Sequence, residues 1–119
     1  MINNICKGDI YFINMPKQNV IGKHSCEIGH KPCVIVSNNV GNRTSKVVLV
    51  CPMTHKLKDI SCNVNVTWKK GEKNYQVLCN HITAIPIEIL GKRKGILTND
   101  EINEVDIVMM KVLGIKYEC

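Results

Sequence analysis

Residues 46–53 of this chain, Lys-Val-Val-Leu-Val-Cys-Pro-Met, are apolar almost throughout, and so are residues 33–37, Cys-Val-Ile-Val-Ser. Both stretches are rich in valine and isoleucine, whose branched side chains suit a pleated and half-buried surface. A short continuous apolar run between polar segments is typical of a strand that is buried on both of its faces. We therefore predict strands at 33–37 and 46–53, with burial on both faces over 33–37 and 46–51.

Three more runs of strand length occur at 9–14, 62–67 and 76–85. Residues 62–67 alternate between apolar and polar, which predicts a strand with one face in water. The polar segment 38–42 predicts a turn, and the basic residues at 92–94 are interpreted as a turn that leads towards a helix. The sequence therefore predicts five strands in all.

The clearest helix signal begins at Thr98. Thr98 and Glu101 have the spacing of a capping box, in which each side chain accepts a hydrogen bond from the other residue's backbone N–H group. Apolar residues then recur at 102, 105, 108, 109, 112 and 113, and this spacing places them in one stripe. Gly114 suits the end of a helix. We predict a C-terminal helix whose apolar stripe packs on the sheet.

Composition and charge describe one basic domain, residues 1–119. A chain of 119 residues can bury one core but not two. The net charge of +6 favours a polyanionic partner: nucleic acid, an anionic membrane surface or an acidic protein. No apolar run approaches the roughly 18 residues of a membrane span, and the N-terminus lacks the pattern of a secretory signal. We therefore expect a cytoplasmic protein.

The seven cysteines are interpreted as core residues rather than as ligands. They include no C-x-x-C pair and no Cys/His pair with the spacing of a zinc site. An odd count without a secretory signal also argues against a disulfide framework. Cys33, Cys51 and Cys79 each lie in an apolar run, where a free thiol behaves as a small hydrophobe. We expect neither a metal nor any other cofactor.

Three segments place polar side chains at the ends of predicted strands or within them. One of them ends the unpatterned stretch 15–31, which carries mainly cationic side chains and is interpreted as a binding loop. If the strands are neighbours, these side chains would gather around one groove. The candidate residues are His30, Lys31, Thr54, His55, Lys56, Asn80 and His81.

Side chains of these types suit the cleavage of RNA without a metal. In that reaction the 2′-hydroxyl attacks the adjacent phosphate, so the enzyme needs a proton acceptor, a donor to the leaving 5′-oxygen and groups that stabilise charge on phosphorus. The acids of the chain are scattered, so no cluster indicates a magnesium site.

The same segments resemble the MazF/PemK family of toxin endoribonucleases. The resemblance rests on residues 8–12 (Gly-Asp-Ile-Tyr-Phe), residues 29–38 (Gly-His-Lys-Pro-Cys-Val-Ile-Val-Ser-Asn), Gly41-Asn42, and Pro52 with Thr54, in the family's order and spacing. It continues through 77–85, which corresponds to the family's LxxQIRTI segment, and through the closing helix. The resemblance therefore covers nearly the whole chain.

This resemblance implies a mainly β fold with short helices, in which a strongly curved antiparallel sheet or SH3-like small barrel is followed by a C-terminal helix. It implies a homodimer that cleaves single-stranded RNA such as mRNA at short motifs and leaves 2′,3′-cyclic phosphate and 5′-hydroxyl ends. It also implies an acidic antitoxin in the groove, and catalytic roles for Lys31 and Thr54. The candidate RNA-binding residues are His30, His55, Lys56, Asn80 and His81; neither DNA nor a membrane is an expected partner.

Lys31 departs from the family, which has arginine at this position. Lysine keeps the positive charge but lacks the planar fork that holds a phosphate through two parallel hydrogen bonds. A lysine with an unperturbed pKa of about 10.4 stabilises charge or donates a proton better than it accepts one. The candidate general bases are therefore His30, His55 and His81. His81 and Thr83 also replace family residues in the segment 77–85, so we expect a different base selection.

Two other functions remain open at this stage. A weakened family member would bind RNA or the antitoxin without cutting. A toxin of the same fold class that poisons DNA gyrase would need the end of the C-terminal helix and would make no use of Thr54. His30 and His81 also fit the ends of strands as purely structural histidines.

Overall fold

Seven β-strands and two α-helices form the part of the protein that this computed structural model describes, residues 4–13, 32–68 and 73–116. The strands are β1 (Asp9–Ile13), β2 (Pro32–Ile35), β3 (Val47–Thr54), β4 (Asn63–Trp68), β5 (Lys73–Leu78), β6 (Thr83–Pro86) and β7 (Leu90–Ile96). The helices are α1 (Asn39–Thr44) and α2 (Asn99–Val112), and 3₁₀ turns occupy Cys79–His81 and Ile87–Ile89. The predicted mainly β fold with a C-terminal helix is confirmed.

The strands pair antiparallel in one sheet of order β4-β5-β3-β2-β1-β7, and β6 pairs with the first half of β3. The sheet is not closed, since no pairing joins β4 to β7 within the described residues. Trp68 bridges these two edges, because its Nε1 donates a 3.2 Å hydrogen bond to the carbonyl of Lys94. The neighbouring Gly95 permits this approach, since a Cβ at that position would lie 2.9 Å from Nε1.

The central strands separate two apolar clusters. Val34 and Cys51 pack in the cluster that α2 covers, whereas Cys33 and Ile35 pack in the cluster on the other side. Successive residues of a strand point to opposite faces, so both faces of β2 are buried. The predicted burial of the run 33–37 on both sides is therefore confirmed for Cys33, Val34 and Ile35, the part of the run within β2, whereas Val36 and Ser37 are half-buried.

The same prediction is wrong for the first half of β3. Val47 and Leu49 are 47% and 38% exposed, and they pair with Pro86 and Ala84 of β6, which are exposed as well. These side chains lie on the face that α2 covers further along the strand, where Met53 is fully buried. Apolar composition could not show that this cover ends partway along β3.

The predicted strand at 76–85 is broken in the structure. Its first part belongs to β5 and its last part to β6, and both parts pair with β3. The Met53–Val77 pair and the Val50–Thr83 pair are separated by three residues along β3 but by six residues along the partner chain. The three residues of the 3₁₀ turn Cys79–His81 account for the difference. The polar residues Asn80 and His81 interrupt the apolar run at this point, but apolar residues continue on both sides of them, so the pattern was interpreted as one strand.

Strand β7 was not predicted, because the basic residues at 92–94 were interpreted as a turn. They form the exposed part of an edge strand that pairs with β1. Arg93 Nε lies 3.1 Å from the buried Asp9 Oδ1, in an ion pair whose geometry falls outside that of a hydrogen bond. Lysines on an edge strand oppose pairing with another chain, and they also remove the apolar alternation that marks a strand.

Helix α1 lies mainly within the segment 38–42 that was predicted to be a turn. Asn38 caps it by accepting a 2.7 Å hydrogen bond from the Gly41 N–H group. Asn42 is fully buried, and its amide donates to the Ser37 carbonyl at 2.9 Å. The prediction was wrong because asparagine favours turns and helix caps alike.

Helix α2 confirms the prediction for the C-terminal segment. Thr98 Oγ1 accepts from the Glu101 N–H group at 3.2 Å, and Glu101 Oε1 accepts from the Thr98 N–H group at 2.9 Å. Val105 and Met109 of the apolar stripe are buried against the sheet. Gly114 follows the helix with a φ of 72°. Of the helices that the structure describes, none has the length and apolarity to cross a membrane.

Candidate functional site

The C-terminal end of β3 carries a buried polar side chain. Thr54 is the last residue of the strand and only 9% exposed. Its Oγ1 accepts a 3.1 Å hydrogen bond from the N–H group of Lys56, two residues later. This local turn, which threonine favours, redirects the chain into the exposed segment 55–60. The hydroxyl proton of Thr54 takes no part in that bond.

Beside Thr54 lies a second buried polar residue, Gln76, which is its register partner in β5. Gln76 Oε1 accepts from the Lys58 N–H group and from Asn63 Nδ2, both at 3.0 Å. Its Nε2 donates to the Lys58 carbonyl at 2.8 Å and to Asn65 Oδ1 at 2.9 Å. This network ties the segment 55–60 to strands β4 and β5.

The 3₁₀ turn after β5 supplies the opposite side of the site. Cys79 is fully buried in the apolar cluster that α2 covers, and this packing fixes the turn to the core. Asn80 and His81, the next two residues, are exposed. Thr83 Oγ1 donates to the carbonyl of His81 at 3.0 Å, which closes the turn.

These elements enclose a cleft of about 300 Å³. It is lined by Thr54, Lys56, Lys58, Ile60, Asn63, Leu78, Asn80 and His81. A second concavity of about 310 Å³ adjoins it, lined by Val50, Pro52, His81, Ile82 and Thr83. His81 borders both. The structure therefore places four of the sequence-predicted residues in one cleft: Thr54, Lys56, Asn80 and His81.

The cleft is suited to an anion. Two of its described lining residues, Lys56 and Lys58, are cations, and none of them is acidic. Both lysines are exposed, so their ammonium groups can reach a ligand in the cleft while their stems rest on the surface. Amide and hydroxyl groups from Asn63, Asn80 and Thr54 add neutral hydrogen-bonding positions.

The remaining predicted site residues do not line this cleft in the described structure. His55 is exposed, with its ring centroid 6.2 Å from that of Tyr75 in an edge-to-face contact. His30 and Lys31 lie outside the described residues, as does the rest of the predicted binding loop 15–31. The first described residue after them, Pro32, begins β2, which pairs with β3.

Sequence reasoning missed Gln76, Asn63, Ile60 and Leu78 as site residues. A signal existed for Gln76, because a glutamine within an apolar run is either exposed or needs several hydrogen-bond partners. Choosing between these alternatives requires the tertiary contact with Lys58, which is 18 residues away. Lys58, the second cation that lines the cleft, was not among the predicted site residues either.

The buried cysteines belong to the core and not to the site. Cys33, Cys51 and Cys79 are at most 1% exposed. Burial raises the pKa of each of these thiols to about 12, so they stay protonated at neutral pH and are poor nucleophiles. Their predicted role as small hydrophobes is confirmed. No three His, Cys, Asp or Glu side chains converge as a metal site in the described ranges.

Comparison with known proteins shows which protein family the sequence matches. A model of the family described as "PemK-like, MazF-like toxin of type II toxin-antitoxin system" matches residues 6–113. An endoribonuclease from a mycobacterial species shares the fold, with a TM-score of 0.79 and 22% identity over 99% of both chains.

Two solved complexes have similar folds. In the first, a mycobacterial endoribonuclease bound to its cognate antitoxin, the TM-score is 0.77 and the identity 23%, over 96% of this chain and 99% of that one. In the second, a MazE–MazF complex from Deinococcus radiodurans, the TM-score is 0.72 and the identity 16%, over 98% and 100%. At such identities the structural likeness establishes the fold.

Proposed function

Because the chain belongs to the PemK-like, MazF-like toxins of type II toxin–antitoxin systems, we propose that it is a metal-independent endoribonuclease that cuts single-stranded RNA, including mRNA, in the cytoplasm. The observation that carries the proposal is the cleft in which the Thr54 hydroxyl lies among lysine and amide side chains. Cleavage of a phosphodiester needs such a combination, because a hydroxyl donor and nearby cations stabilise the charge that develops on the phosphate oxygens.

The proposed reaction needs no metal-bound water. The 2′-oxygen of the substrate forms a bond to the adjacent phosphorus while its proton passes to a base, and the bond from phosphorus to the 5′-oxygen breaks. The 5′-oxygen takes up a proton, which leaves 5′-hydroxyl and 2′,3′-cyclic phosphate ends. Thr54 would donate its hydroxyl proton as a hydrogen bond to a phosphate oxygen, while a lone pair of Oγ1 accepts from the Lys56 N–H group.

Lys31 is proposed as the cation that neutralises the phosphorane and protonates the leaving oxygen. The support comes from the family motif and from the strand register, in which Cys33 pairs with Pro52. Lys31 precedes Cys33 by two residues, and Thr54 follows Pro52 by two residues. Lys56 would assist by contacting a neighbouring phosphate.

His81 is the described histidine best placed to contact the RNA, because it borders both concavities. A nucleotide in one concavity and its neighbour in the other would both reach this ring. The imidazole would then act either as a contact to a base or as the general base. Asn80 would hydrogen-bond a base edge from the same turn. His30 and His55 stay proposed RNA contacts and alternative bases, on sequence grounds alone. Recognition at these positions would make cleavage sequence-selective.

An acidic antitoxin and a second copy of the chain are the proposed protein partners. The basic cleft favours an acidic segment by charge. The exposed apolar patch formed by Val47, Leu49, Ala84 and Pro86 on β3 and β6 is the proposed dimer surface, since exposed apolar side chains on adjacent strands favour association.

The decisive experiment incubates the purified protein with an end-labelled, mixed-sequence single-stranded RNA, with and without EDTA. We expect discrete, EDTA-resistant products that end in a 2′,3′-cyclic phosphate. In Thr54→Ala the rate should fall by about 100-fold or more, as for loss of one transition-state hydrogen-bond donor. Thr44→Ala, which removes an exposed hydroxyl on α1, is the matched control and should cut normally.

Binding of the RNA without any cleavage by the wild-type protein would contradict the proposal and favour a family member that only binds. Products that vanish with EDTA would refute the metal-free route. Products that persist unchanged in Thr54→Ala would remove Thr54 from the reaction.

A further inference from the structure

The segment 55–60, which carries two of the cleft's cations, has little apolar anchoring of its own. All six of its residues are exposed, including Leu57 at 53% and Ile60 at 44%. A segment without buried side chains needs backbone hydrogen bonds to hold one conformation. The question is therefore which group supplies them.

Gln76 supplies two of them from a buried position. It is 5% exposed, and it both accepts from the Lys58 N–H group and donates to the Lys58 carbonyl. This two-point contact imitates the pairing between neighbouring strands, with a side-chain amide in place of a peptide group. The other lone pair and the other N–H of Gln76 are used by Asn63 and Asn65, so its amide is fully satisfied.

The position of Gln76 links this contact to Thr54. The two residues are register partners at the end of the β3–β5 ladder. From Thr54 the chain turns through the Lys56 N–H bond and returns to the Gln76 side chain at Lys58. The segment is thus fixed at two points, the backbone N–H groups of Lys56 and Lys58.

We propose that Gln76 is a positioning residue that holds Lys56 and Lys58 against the cleft so that they contact the phosphates of the substrate. The contact between the lysines and RNA rests on the proposed function, whereas the effect of Gln76 on the segment 55–60 does not. Gln76 itself lines neither concavity in the described structure. Its role is therefore exerted through the backbone of Lys58.

A positioning role predicts a particular kinetic split. The lysines would contact phosphates in the bound substrate and in the transition state alike, so losing their position weakens binding uniformly. Thr54 stays in place through the β3 ladder. In Gln76→Leu we expect KM for RNA to rise by about tenfold and kcat to change by less than about threefold. Partial unfolding would instead lower the active fraction and leave KM unchanged.

A graded pair of variants keeps the test informative if Gln76→Leu folds poorly. Gln76→Asn keeps the amide on a side chain shorter by one methylene, so its bonds to Lys58 are weakened and its KM should lie between those of the wild type and Gln76→Leu. Asn42→Ala is the matched control. It removes a buried, hydrogen-bonded amide next to Ser37 and α1, so it should reduce stability without changing KM.

Hydrogen exchange provides a second readout that needs no catalysis. The Lys58 amide should exchange at least about tenfold faster in Gln76→Leu than in the wild type, while amides in the β2–β3 ladder keep their protection. Unchanged exchange at Lys58 would overturn the inference, and so would faster exchange with an unchanged KM. If the wild-type protein cuts no RNA, the proposed function fails separately. The affinity for a single-stranded oligonucleotide then takes the place of KM, and an affinity equal to that of the wild type would overturn the inference.

Discussion

The two ends of β3 depart from the usual burial pattern in opposite ways. At the first end, Val47 and Leu49 are apolar and exposed, beside β6. At the other end, Thr54 is polar and buried, beside its equally buried partner Gln76. Between them, Cys51 is fully buried and apolar, as the core requires.

Each departure has a physical cause, and each indicates a different use. The apolar end is exposed because the cluster under α2 covers only the later residues of this face of the sheet. The polar end tolerates burial because its hydroxyl and amide groups have hydrogen-bond partners. Exposed apolar surface favours a protein partner, whereas satisfied polar groups beside a basic cleft favour an anionic ligand.

The largest expected effect tests the polar end. Thr54→Val keeps the shape of the side chain and removes its hydroxyl, so cleavage should fall by about 100-fold or more. Thr54→Ser keeps the hydroxyl and should retain activity within about tenfold of the wild type. Single-turnover rates on one RNA measure both. Equal rates for the two variants would show that the hydroxyl has no role and would remove this side of the comparison.

The next effect tests the apolar end. Leu49→Lys places a charge in the proposed dimer surface, and the dimer dissociation constant should rise by about 100-fold because the ammonium group would be desolvated. Ile96→Lys is the matched control: Ile96 is 53% exposed on β7 and should tolerate the change. Sedimentation velocity over a concentration series measures both. A dimer that persists unchanged in Leu49→Lys would place the interface elsewhere.

A smaller effect would sharpen the assignment of the polar end. Lys31→Arg restores the planar fork that can hold a phosphate through two hydrogen bonds, so we expect kcat/KM to rise by about tenfold. Lys31→Ala, assayed on the same RNA, measures the effect of removing the charge of the side chain. A rate in Lys31→Arg below that of the wild type would indicate that this site is adapted to lysine.

The smallest effect concerns the middle of β3. Burial raises the pKa of the Cys51 thiol to about 12, helped by the nearby Cys79 and Cys33. The folded state therefore keeps its proton at a pH where the unfolded chain releases it, so this contribution to stability is complete below pH ~8.5 and declines as the pH rises towards 12. Between pH 7 and 9.5 it should shrink by about 1 kcal/mol.

Urea denaturation of the wild type and Cys51→Ala at both pH values checks this expectation. The decline with pH should be smaller in the variant by that amount, although Cys51→Ala is less stable at either pH because it leaves a small cavity. An equal decline in both proteins would show that the Cys51 thiol ionises as readily in the core as in the unfolded chain.

Local sequence signals were sufficient for the elements whose pattern is complete within a few residues. The capping box at Thr98 and Glu101 marked the start of α2, and four of the five predicted strands are confirmed to within two residues. The alternation at 62–67 also gave the exposed face of β4 correctly. Where the pattern was ambiguous, the prediction was wrong, as for the asparagine-rich α1 and the basic edge strand β7.

For the site, the sequence supplied residues and the fold supplied their neighbours. Thr54, Lys56, Asn80 and His81 were proposed from their places at strand ends, and they do line one cleft. Gln76 was missed, because its importance lies in a contact with Lys58 across 18 residues. His55 stays a prediction, and the structure places its ring beside Tyr75 instead.

The sequence by itself determined the mainly β class, the C-terminal helix and the family, because these depend on local propensity and on motifs with fixed spacing. Only the tertiary structure decided how far α2 covers β3, where the chain after β5 breaks into a 3₁₀ turn, and how Gln76 holds the lysine segment. The physical reason is range: propensity and capping act over three or four residues, whereas burial and buried hydrogen bonds depend on chain segments that only folding brings together.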